Sequence, residues 1–172
     1  MQDVRDLAPG ELPSYLRAYI AKAEGPDLIS ALEGGAARAL ALFKVIPPER
    51  QEYRYAPGKW SIKEVIQHVN DSERIFAYRA LRFARKDTTP LPGFEENDYA
   101  PASDADRRSL RSLCDEHEAV RLSSILLFQS FAPEMLMRRG QAAGNSVSVE
   151  ALGWIIAGHA MHHWSIIRER YL

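Results

Sequence analysis

His159 and His163 stand one helical turn apart in the run Gly158-His-Ala-Met-His-His-Trp164. Four residues at roughly 100° each return the second ring to within about 40° of the first, one rise of ~6 Å along the axis. Leu152, Ile155, Ile156, Ile166 and Ile167 mark the apolar stripe of the same segment. Both imidazoles therefore point where a helix normally buries its large apolar side chains. A buried polar ring without partners costs on the order of 1–3 kcal/mol. Two such rings side by side ask for a common partner, and a divalent cation is the obvious one.

Catalytic sites of the zinc type commonly take three protein ligands and leave one position open. The other histidines are His68, His117 and His162. His68 falls about 100° from the centre of its own apolar stripe, an edge position suited to a cleft between helices. His117 follows the face of Leu113, Cys114 and Val120 and is the rival third ligand; His162 lies roughly 80° off its stripe, at the flank. Spacing alone leaves open both the third ligand and the alternative of a satisfied core pair. The pair shares the spacing of the His-Glu-x-x-His helix of zinc proteases, but residue 160 is alanine, so that glutamate base is missing.

The elements that must position these rings are helical. No segment alternates convincingly with period two, whereas several carry helical periodicity. After an N-terminal helical piece around Leu12–Ala23, Gly25-Pro26-Asp27 breaks the chain. A helix is expected from about Asp27 to Val45, weakened by Gly34-Gly35 and stopped by Pro47-Pro48. Ser61 with Glu64 three residues on forms a capping box. The helix it opens should run to about Lys86 on Ile62, Val65, Ile66, Val69, Phe76, Ala80 and Phe83. A loop from Asp87 to Ser103 follows, and loops longer than about 12–15 residues are often functional. A third long helix is expected from Ser103 or Asp104 to Gln129. Pro133, Gly140 and Gly144-Asn145 punctuate a stretch with room for a short extended pair, and a last helix starts at Ser146 or Ser148. Four long helices with one apolar stripe each describe an all-α four-helix bundle, here as a single domain over residues 1–172.

Two carboxylates are weak candidates for work near the histidines. Glu64 lies one turn before His68, although its capping role explains it equally well. Glu73 falls near the centre of the apolar stripe between Val69 and Phe76, and a buried carboxylate needs a partner. That partner is either an arginine or backbone group, or a histidine of another helix that holds a metal. Asp71 points away from the stripe toward solvent. Trp60 reads as a packing anchor at its helix entrance, whereas Trp154 and Trp164 are offset from their stripe and could line a dimer interface.

The block Tyr55-Ala-Pro-Gly-Lys-Trp60-Ser-Ile-Lys-Glu-Val-Ile-Gln-His68-Val-Asn-Asp71-Ser72 resembles the signature of the DinB-like superfamily, in particular its YfiT-type branch. The terminal His159-Ala-Met-His162-His163 and the loop Thr89-Pro-Leu-Pro-Gly-Phe-Glu-Glu-Asn-Asp-Tyr99 resemble the same branch. The likeness runs from about Tyr53 to the end. It implies a DinB/YfiT-like four-helix bundle with an extra N-terminal helical segment. It also implies a metal held by His68, His159 and His163, one divalent ion per chain with zinc or nickel foremost, and a homodimer. Many members carry Gln three residues after the last ligand, where this chain has Ile166.

Members of the family with assigned activities include transferases that use a low-molecular-weight thiol. A metal with an open position binds a thiol as thiolate, the attacking species. The leading expectation is therefore transfer of such a thiol to a small electrophilic substrate. A metal-activated water would make the same site a hydrolase, and a closed site would make it a non-catalytic metal- or ligand-binding module.

With 22 basic and 23 acidic residues, the net charge of −1 gives no electrostatic reason to expect a nucleic acid or an anionic membrane as partner. The cluster Arg79, Arg82, Arg85 and Lys86 reads as a solvated face favourable to the end of a helix. Cys114 is the single cysteine, so no internal disulfide or thiolate cluster can form, and it reads as a buried inert thiol. No apolar run approaches the ~20 residues of a membrane span. The start Met-Gln-Asp-Val-Arg-Asp lacks the layout of a secretory signal, so a cytoplasmic address is expected.

Overall fold

The computed structural model describes residues 12–172; the opening Met-Gln-Asp-Val-Arg-Asp lies outside them. The chain begins with α1 (Ser14–Ile20), the N-terminal piece read from the sequence, and α2 (Leu28–Phe43) follows. Asp27 caps α2, its carboxylate accepting from the Ser30 amide at 2.9 Å. Then comes α3 (Ile62–Ala84), where the capping box forms as expected. Ser61 Oγ accepts from the Glu64 amide at 3.1 Å, and Glu64 accepts from the Ser61 amide at 2.8 Å. A cap of this kind is worth about 1 kcal/mol by removing an orphaned donor.

The excursion after α3 differs from its sequence reading. It contains a short helix, α4 (Glu96–Ala102), and the third long helix, α5 (Leu110–Gln129), starts six or seven residues later than expected. The reason is local. Asp104 adopts a left-handed φ of 54°, which a right-handed helix cannot continue through, and the chain restarts on Ser109 as cap. A one-turn helix, α6 (Pro133–Leu136), then leads to the extended pair, β1 (Arg139–Ala142) antiparallel to β2 (Asn145–Ser148). Ala143 and Gly144 make its two-residue turn, both with positive φ, as a primed hairpin turn demands. Ser148 caps α7 (Val149–Ile166), and a wider final turn runs through Ile167–Tyr171.

The four long helices form a square in which α3 packs on α7 and α5, and α2 packs on the same two from the opposite corner. Outside it, α1 lies on α7. Gly158 permits that approach, because a Cβ there would sit 1.7 Å from the Tyr19 carbonyl oxygen. The hairpin is tied to the excursion by Leu91, whose amide donates to Gln141 O at 2.9 Å and whose carbonyl accepts from the Ala143 amide at 3.0 Å. No helix among the described residues is long and apolar enough to cross a membrane.

The apolar core comes in two halves. One gathers Leu32, Phe83, Phe128, Leu152, Trp154 and Ile155; the other gathers Leu42, Ile66, Leu113, Trp164 and Ile167. Both tryptophans are therefore buried, against the expectation of a surface role, so neither lines a subunit interface. Trp164 packs edge-on against Phe43 of α2 and His117 of α5, and Trp154 joins the half that includes Leu16 and Ile20 of α1.

Between the halves lies a buried polar layer. Arg121 of α5 donates to both oxygens of Glu73 on α3, each at 2.9 Å, and to the Leu32 carbonyl of α2 at 3.0 Å. His117 Nδ1 meets Asn70 Oδ1 at 2.9 Å. Removing one partner of a buried pair leaves a desolvated charge and costs about 3–5 kcal/mol, whereas an apolar replacement of both is often neutral. Arg121→Met should therefore lower unfolding stability in urea by that amount, and adding Glu73→Leu should recover more than half of the loss. Equal instability of single and double variants would contradict this account of the layer.

Candidate metal centre

His68 is carried by α3, and His159 and His163 by α7, where these two helices pack. Their Nε2 atoms converge: His68 to His159 at 3.0 Å, and His163 to His159 at 3.1 Å. All three ligand-capable nitrogens lie within 4.8 Å of one another. For a tetrahedral ion with metal–nitrogen bonds of about 2.0–2.1 Å, nitrogens are separated by roughly 3.3 Å. The observed spacing is close to that. A neutral Nε2 offers either one N–H or one lone pair, so His159 Nε2 cannot make good hydrogen bonds to both neighbours in one state. A cation satisfies three lone pairs together. The donor set fits a divalent ion.

Electrostatics favours the ligating form. The three rings are between 5% and 9% exposed. Burial, with a smaller contribution from His162, pulls the His68 pKa down to about 4. His159 and His163 lie well below the ordinary imidazole value, first through burial and then through neighbouring imidazoles; the Arg121 charge adds to the effect at His159. At neutral pH the rings are uncharged and their lone pairs are available.

Aromatic rings fix their orientation. Trp60 lies against His68 with centroids 4.7 Å apart, and Tyr19 meets the His159 ring edge-on at 5.0 Å. Phe76 adds a further edge contact to His159 at 6.0 Å. His68 and His159 open onto a cavity of about 140 Å³ whose wall includes Tyr19, Phe76, Arg79 and Phe94. His163 borders a separate recess with Trp60, Ile166 and Tyr171. The Thr89–Tyr99 excursion thus does border the cavity, through Gly93, Phe94 and Glu96.

The other sequence candidates fall elsewhere. His117 is buried against Phe43 and Trp164, bonded to Asn70, and stands outside the cluster. Both oxygens of Glu73 are held by Arg121, the arginine partner of the two alternatives. Glu64 is occupied by its capping box and by Arg54. Burial pushes the Cys114 thiol up to about 12, consistent with an inert thiol. His162 is half-buried at the flank, 5.3 Å from the Tyr19 ring. Arg79 departs from its reading as part of a solvated face: it is buried in the cavity wall. A signal for it was present, since eleven residues make three helical turns to within about 20°, placing Arg79 in line with His68. Tyr19 had no such signal, because only tertiary packing brings α1 onto α7.

A helical bundle with three converging imidazoles, two of them open to a cavity, defines a class of candidate metal-site proteins. The chain belongs to the DinB superfamily, whose family model matches residues 31–167. Its fold is similar to that of YfiT from Bacillus subtilis, described as a probable metal-dependent hydrolase with an unusual four-helix bundle topology. The two share 17% identity at a TM-score of 0.73, over 95% of this chain and 90% of that one. No curated protein matches the chain.

The lowered imidazole pKa values carry a pH dependence with a definite sign. An unfolded histidine takes up its proton near pH 6.5, whereas His68 in the fold resists until about pH 4. The metal-stripped protein should keep this stability above pH 6.5 and lose it progressively as pH falls toward 4. His68 alone should account for on the order of 3 kcal/mol. Urea midpoints across that range should fall steeply for the native chain and less steeply for His68→Gln; parallel curves would contradict the assignment.

Proposed function

We propose that this chain is a metal-dependent enzyme that transfers a low-molecular-weight thiol to a small electrophile at a divalent ion held by His68, His159 and His163. The observation that carries this reading is the convergence of three neutral imidazoles, two of which, His68 and His159, open onto a cavity. A divalent cation bound there supplies positive charge that favours the ionised form of a thiol entering its open position.

The chain's own groups supply the rest. Neither candidate carboxylate accepts a hydrogen bond from the three histidines, since Glu64 and Glu73 accept from Arg54 and Arg121. A thiol suits such a site because it ionises far more readily than water. Phe76, Leu152 and Ile155 make the wall beside His159 apolar and restrict water there. Burial, and then the Glu96 charge, raise the Tyr19 pKa, so its hydroxyl keeps its proton and can donate to a substrate. In the transfer the thiol gives up its proton to solvent water, a sulfur–carbon bond forms as the carbon–leaving-group bond breaks, and the leaving group departs with its electron pair. Ile166 borders the His163 recess where many family members have Gln, which makes that side more apolar.

Hydrolysis is the second reading, favoured by the likeness to YfiT and its description. The substrate itself is a small molecule in either case.

The two readings separate in one experiment. Purified protein should hold about one ion per chain by plasma mass spectrometry, and His68→Ala should lose it. The loaded protein should turn over a chromogenic aryl halide only when cysteine is supplied as thiol, with roughly a hundredfold loss or more in His68→Ala, since even the outer-shell partners of a ligand are worth about 10–100-fold. Cleavage of a nitrophenyl ester without thiol would favour the hydrolase. No ion after incubation with zinc or nickel would reject both and leave a binding module.

A further inference from the structure

Arg79 is the one cationic side chain lining the cavity among the described residues, and it is only 7% exposed. Its single hydrogen bond there is from Nη2 to the Pro92 carbonyl at 2.8 Å, and no described carboxylate lies within ion-pair distance. Arg54, Arg74, Arg82, Arg108 and Arg121 all have such partners. Burying a guanidinium without an anion is unfavourable unless an anion arrives from outside.

We propose that Arg79 is the anchor for a carboxylate group of the substrate, which makes the substrate class a small carboxylic acid whose electrophilic end faces His68 and His159. This rests on the reading above that the histidines hold the reacting centre.

Three observations set the geometry. Phe76 and Phe94 flank the guanidinium carbon at 5.7 and 6.0 Å from their ring centroids, leaving it a restricted choice of direction. Phe76 is also 6.0 Å from the His159 ring, so these two spans bound the distance from imidazole to guanidinium. A small acid with a chain of several atoms can span a separation within that bound. The helical register puts Arg79 three turns beyond His68 on one line, and a long side chain on a helix leans back toward the N-terminus. Nε and Nη1 make no hydrogen bond to a described residue, and a guanidinium fork matches a carboxylate. Glu96 also lines the cavity, but it is exposed, and the ionisable group felt at Arg79 besides burial is Tyr15. Desolvation pulls the Arg79 pKa down, as expected of a buried cation with no ion-pair partner among the described residues.

The competing role is structural: Arg79 would merely tie the Pro92 segment to α3. Full-length protein, both metal-loaded and stripped with EDTA, is titrated calorimetrically with 4-phenylbutyrate and glutarate and with their primary amides. The stripped sample prevents a carboxylate from simply coordinating an ion. In both states the acids should bind at least about tenfold more tightly than the amides, as a charged two-pronged contact implies. Arg79→Gln should abolish the preference, and Arg79→Lys should retain part of it. Equal binding of acid and amide to the stripped native protein, or a preference that survives Arg79→Gln in the stripped state, overturns the assignment. The first comparison needs no variant, so misfolding of Arg79→Gln cannot shelter the proposal. Metal content of the same samples reports separately on the histidines. An acid preference that persists in His68→Ala sustains Arg79 even if the metal reading fails.

Discussion

The desolvation of a polar layer in the middle of the bundle is the constraint on which the rest of this structure depends. Two apolar halves meet at a level where Glu73, Arg121, His117, Asn70 and the three clustered histidines are all buried. Each of these groups loses water on folding and must recover a partner inside. Arg121 does this for three helices together, taking both oxygens of Glu73 and the Leu32 carbonyl. Its own charge then reaches His159 and opposes protonation there. The pair that holds the bundle's corners also helps keep a candidate ligand neutral.

The histidines solve the same problem differently. Three uncharged rings converge with Nε2 separations that no set of hydrogen bonds satisfies fully. A rigid support surrounds them: Trp60 at the start of α3, Tyr19 from α1 and Phe76 one turn beyond Ser72. The apolar halves above and below fix the crossing of α3 with α7, which sets the spacing of the rings. Core packing and donor geometry are thus one arrangement. A site held in this way loses little on binding an ion, because the ligands are already in place.

The excursion between α3 and α5 completes the cavity rather than merely spanning a gap. Leu91 hydrogen-bonds to the β1–β2 hairpin, and this places Gly93, Phe94 and Glu96 at the wall opposite α7. Arg79 reaches the same segment through the Pro92 carbonyl. Helix, loop and hairpin therefore share one polar contact set at the cavity's edge, a position from which small shifts would alter access.

Local chemistry was legible in the chain itself. Asp27, Ser61 and Ser148 announce helix starts because a side-chain oxygen must satisfy nearby amides. His159 and His163 announce a shared face through their spacing, and the block around His68 resembles a family whose model matches residues 31–167. Where a reading missed, the cause was either a single backbone angle or packing between helices. The left-handed turn at Asp104 delays α5, a matter of one φ angle that helical periodicity does not reveal. Trp164 is buried between Phe43 of α2 and His117 of α5, and Trp154 belongs to the half of the core that α1 joins. Glu73 needed a partner from the start, but only the α3–α5 packing chose Arg121. The sequence by itself determined the helix caps and the main apolar stripe of each helix, since caps and periodicity depend on neighbours three and four residues away. Only the tertiary structure decided which of them meet, because contacts across helices depend on crossing geometry that no single helix contains.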